Sequence, residues 1–131
     1  MTKTQVAVFG AALLFPPLYQ RSMFAIFYKR FLKPFMREKS GLQIHHGHWG
    51  IVLLFISSVG MMVLEQNSIL IAGLGLGWGL LLDEFIPSLM MPTVGRKIEL
   101  EVYEKALKPT LVLFGLLEAV VLIQFAFSTR W

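Results

Sequence analysis

His45, His46 and His48 stand together in the run Ile44-His45-His46-Gly47-His48, and Asp83-Glu84 close a long apolar segment further along the chain. Imidazole and carboxylate are the side chains that ligate divalent metals and carry protons near neutral pH. The apolar segments that hold the two groups are joined by Glu65-Gln66-Asn67. If the chain folds back at about Gln66, His48 lies as many residues before the turn as Glu84 lies after it. The two would then share one depth near one membrane face, where unpaired ionisable groups are costly and usually functional. His45 and His48 are three apart and share a helix face, whereas His46 points about a quarter turn away. A metal could take His45, His48 and Glu84, with Asp83 as a further ligand or a partner behind the ligands, and keep one position open to water as catalytic zinc sites do. The same donors suit iron, manganese or copper.

Pairing without metal explains the same residues. Asp83-Glu84 could balance Arg21 or the basic loops, and the histidines could bond lipid phosphate at the start of a helix. Arg21 would either snorkel to the interface or pair with an acid on a neighbouring helix. Glu118 is the one ionisable residue of the last segment away from its ends. It could complete a metal site, relay a proton or stay protonated in its apolar setting. Haem is disfavoured, because every histidine of the chain falls between 45 and 48 and bis-histidine ligation needs imidazoles from opposing directions.

The elements that must position these groups are membrane helices. The chain of 131 residues is 56% hydrophobic and only 15% charged, with a mean hydropathy of +0.66, far too little charge for a soluble domain of this size. Apolar stretches near 5–28, 42–64, 68–91 and 109–128 approach or exceed the ~18 to 20 residues that cross a bilayer. The expectation is an all-α, polytopic membrane protein: one membrane domain over 1–131 with four transmembrane helices. Residues 96–108 add a short cytoplasmic amphipathic helix, with Ile98, Leu100, Val102, Tyr103 and Leu107 apolar and Glu101-Lys105 and Glu104-Lys108 at i,i+4 spacing. The first segment has no small-residue cleavage site and is expected to stay in the mature protein. It is also expected to kink at Pro16-Pro17. Ser40 is a candidate N-cap for the second segment.

The net charge of +4 is placed as membrane topology places charge. Lys29, Arg30, Lys33, Arg37 and Lys39 lie between the first two segments, and Arg96, Lys97, Lys105 and Lys108 between the last two. The positive-inside rule then sets both loops in the cytoplasm and both termini outside, in a multi-pass protein of the cell membrane. Anionic lipid head groups, not nucleic acid, are the expected partners of this charge. Without cysteine there is neither a disulfide framework nor a thiolate site.

Gly73, Gly75, Gly77 and Gly79 alternate along the third segment. Glycines four apart make two small strips, 73 with 77 and 75 with 79, that admit close backbone approach between membrane helices. Gly47 and Gly50 offer a matching surface on the second segment. Phosphate cradling is disfavoured, since the glycines lie in apolar sequence with no Lys-Ser/Thr after them.

Ile44-His45-His46 followed by Gly50, then Gly73-Leu74-Gly75-Leu76-Gly77 leading to Leu82-Asp83-Glu84-Phe85, resembles a pattern in small prokaryotic integral membrane proteins with no assigned activity. The resemblance covers the second and third segments and implies that their hairpin is a unit; it implies no reaction.

Short loops, glycine strips and no extramembrane domain leave mainly packing surface. The expected function is a small accessory or assembly subunit of a larger membrane protein complex, partnered by other membrane subunits or by copies of itself. A metal-dependent membrane enzyme acting on a lipid or other apolar substrate, and a metal or proton transporter, are the alternatives.

Overall fold

The computed structural model describes residues 1–31, 46–90, 102 and 104–128. These residues form four helices: α1 (Lys3–Phe31), α2 (His46–Val63), α3 (Ser68–Met90) and α4 (Leu107–Phe127). The molecule is all-α in these residues. α2, α3 and α4 are long and apolar enough to cross a membrane. α1 is the longest helix but carries four basic residues, Lys3, Arg21, Lys29 and Arg30.

Local chemistry explains where the helices begin. Thr2 Oγ1 accepts from Gln5 N at 3.2 Å while Gln5 Oε1 accepts from Thr2 N at 2.8 Å, a reciprocal cap that satisfies two otherwise orphaned donors. Asn67 caps α3, its Oδ1 accepting from Leu70 N at 3.0 Å. The turn that ends the α2–α3 hairpin is therefore also the start signal of α3. Ser40, the expected cap of α2, lies outside the described residues, as does most of the expected surface helix at 96–108. Of the latter, Val102 and Ala106 are buried, and Glu104, Lys105, Leu107 and Lys108 are exposed.

α1 runs through Pro16 and Pro17 as one continuous helix, and the prolines are used in packing. A Cβ added to Gly79 would meet Pro16 Cγ at 2.9 Å and Leu13 O closer still.

α3 is the central element. A step of two residues turns a helix by about 200°, so the alternating glycines face opposite ways. Gly77 meets α2, where an added Cβ would lie 2.8 Å from Leu54 Cγ and 2.9 Å from Gly50 O; Gly73 on the same strip meets Ser57 Oγ. Gly75 and Gly79 meet α1, with an added Cβ at Gly75 lying 2.6 Å from Phe9 O. Both strips are packing surfaces, but only one serves the hairpin. α1 and α2 thus flank α3 on opposite sides, α1 parallel to it and α2 antiparallel. α4 touches α1 and α3 much more sparingly, and along its length only Thr110 and Phe114 are buried.

Candidate functional site

The helix register carries polar groups from all four helices to one end of the molecule. Asp83, on the α1-facing side of α3, is completely buried. Its Oδ1 accepts from Arg21 Nε at 3.0 Å, and a second guanidinium nitrogen of Arg21 donates to Thr110 Oγ1 of α4 at 3.3 Å. Thr110 is itself 1% exposed. Arg21 therefore ties α1 to α3 and α4 at once. It does so by pairing; of the two sequence expectations for this residue, snorkelling is the one the structure does not follow.

α2 enters the same junction by its first residues. Gly47 N donates to Glu84 Oε2 at 2.6 Å, so a carboxylate of α3 satisfies one of the free N–H groups at the start of α2, where the helix dipole also favours negative charge. An added Cβ at Gly47 would lie 2.5 Å from that oxygen and would displace the Glu84 carboxylate. His46 Nε2 lies 3.5 Å from Asp83 Oδ2 and 4.0 Å from Glu84 Oε2. Those separations exceed a hydrogen bond, and the buried Nε2 has no hydrogen-bond partner among the described residues.

The two halves of the hairpin do meet where the sequence brought them, with histidine-bearing α2 opposite Asp83-Glu84. The imidazole 3.5 Å from Asp83 is His46, the ring that spacing had turned away. His45 lies outside the described residues, and the side chain of His48 is exposed. Among the described residues no group of three His, Asp or Glu side chains is placed to hold a metal ion. Asp83 Oδ1 accepts from Arg21 Nε and Glu84 Oε2 from Gly47 N.

Thr110 is the member of the junction that the sequence did not single out. Its signal was available: a hydroxyl one residue after Pro109 at the start of an apolar helix, at the depth of Arg21. Glu118 lies away from the junction, half-buried against α1, with Oε2 3.3 Å from where a Cβ of Gly10 would be.

Comparison with protein-family models, with curated proteins and with solved structures returns no match for this chain. The functional reading rests on the geometry.

Proposed function

We propose that the chain is a four-span accessory or assembly subunit of a larger membrane protein complex, held in shape by the Arg21–Asp83 junction and presenting α3 to its partner. One observation carries this reading. α1 and α2 cover opposite sides of α3 and leave Trp78, 43% exposed, and Phe85, 49% exposed, open on the side between them. Trp78 falls half-way along α3, in mid-membrane. Tryptophan prefers the membrane interface, where its N–H finds a partner, and at protein contacts it is among the residues that carry most binding energy. Without a partner subunit, this side would present an indole to hydrocarbon.

The junction supports the same reading, because its ion pair and hydrogen bonds are engaged in joining helices. In the proposed orientation the junction end faces the cytoplasm together with the basic loops, α1 being the fourth span, and the termini and Gln66 lie outside. A cysteine at Gln66 should react with an impermeant thiol reagent in intact cells while one at Lys97 stays protected; the reverse labelling would invert the orientation.

Native mass spectrometry from mild detergent tests the subunit reading. The native chain should emerge with other membrane proteins or with copies of itself, and Trp78→Ala should release it as a monomer that keeps its thermal midpoint. A monomeric native chain carrying stoichiometric zinc, iron, manganese or copper would overturn the proposal in favour of a metal-dependent membrane enzyme.

A further inference from the structure

A second polar group of the membrane interior lies in the seam between α1 and α4 and takes no part in the junction. Glu118 stands near the middle of α4, and its Oε1 is buried without a hydrogen-bond partner among the described residues. The carboxyl group rests over Gly10 of α1. A Cβ there would lie 3.0 Å from Val121 Cγ1 and 3.3 Å from Glu118 Oε2, and 3.7 Å from Oε1. The glycine thus provides the notch that the carboxyl fills.

The charged side chains described below on the elements packed against α4 stand away from this notch. On α1, Lys3 lies at one end of the seam, its Nζ 5.7 Å from the centre of the Phe125 ring, and Arg21 lies at the other end on Thr110. On α3, Asp83 is bound to Arg21. By helix rise Glu118 is about 10 Å along α4 from Phe125 and about 12 Å from Thr110. An ionised carboxylate with an oxygen lacking any donor, in apolar surroundings, is the costliest state open to this side chain; such groups neutralise instead.

We propose that Glu118 is a proton-binding site within the α1–α4 seam, occupied as the neutral carboxylic acid when the bulk solution is near neutral. The proton comes from water and returns to it. The site is independent of the subunit reading, because Glu118 lies on α4 and the proposed partner face on α3.

Infrared difference spectroscopy of the native chain against Glu118→Gln, in lipid at neutral pH, reads the proton directly. The expected difference is loss of one acid carbonyl-stretch band, which shifts to lower frequency when the native protein is transferred to D2O. Loss of the paired carboxylate bands instead would show an ionised Glu118 and overturn the proposal. An acid band that does not shift in D2O would overturn the exchange of this proton with water. Glu118→Gln is nearly isosteric and should keep the native elution profile. If it aggregates, Glu118→Asp provides the second comparison, moving the acid band where the proposal holds and moving carboxylate bands where it does not.

Discussion

The two sides of α3 and the far side of α1 are built on different principles. Along α3, glycine meets backbone on both flanks: Gly77 against Gly50 O, and Gly75 against Phe9 O. Along the α1–α4 seam the contact is made through side chains, with one glycine, Gly10, beneath Val121 and Glu118. Hydrocarbon tails are as apolar as leucine, so helices in a bilayer associate through close packing and hydrogen bonds and not through a hydrophobic drive. The three-helix layer α1–α3–α2 has both. α4 has mainly the hydrogen bond from Arg21 to Thr110, and is attached at one end.

Three substitutions grade this difference. Asp83→Ala should be the most damaging, because it leaves the Arg21 guanidinium buried without its carboxylate; losing one member of a buried pair costs about 3 to 5 kcal/mol. Thermal unfolding in detergent should show it, and replacing both partners, as Arg21→Met with Asp83→Leu, should recover much of the loss. An unchanged midpoint for Asp83→Ala would mean that the junction does not hold the helices. Gly77→Leu should come next, at about 1 to 3 kcal/mol for forcing side-chain volume into a packed contact. It should part α2 from α3, readable as loss of a cross-link between cysteines placed at Ser57 and Gly73. Gly115→Leu, on α4, should change stability by less than about 0.5 kcal/mol, since a Cβ at Gly115 meets nothing within 4 Å. A cost there comparable to that at Gly77 would show that α4 is packed by something this chain alone does not supply.

Much of the α2–α3 hairpin was legible in the sequence because its rules are local. Glu65-Gln66-Asn67 gave the turn, and the partners Gly60–Leu70, Ser57–Gly73 and Gly47–Glu84 run in register about residue 65, one position before the assumed centre. The alternation of glycines gave two strips, but not that the second strip belongs to α1, because nothing in local spacing says which helix fills the other side. The pair Arg21–Asp83 was named only as one option among several for the same reason: it joins residues far apart in the chain, and periodicity carries no information about such contacts. Of the histidines, spacing singled out His45 and His48, and the described imidazole nearest Asp83 is that of His46; which side chain reaches across to a neighbouring helix is a tertiary matter that spacing within one helix does not carry.

The parallel pairing of α1 with α3 has a consequence for how the protein is made. Chains grow from the amino end, so α1 emerges first, yet the groove that receives it lies on α3 and the carboxylate that neutralises Arg21 is 62 residues downstream. Until Asp83 is synthesised, the guanidinium needs a temporary host in lipid head groups, water or the insertion machinery. α3 arrives already joined to α2 by a turn of a few residues, so the hairpin can assemble as a unit and then capture the waiting first helix. Truncation between the turn and Asp83 would remove both the groove on α3 and the carboxylate that Arg21 pairs with in the full chain, and leave the first helix with no place to settle.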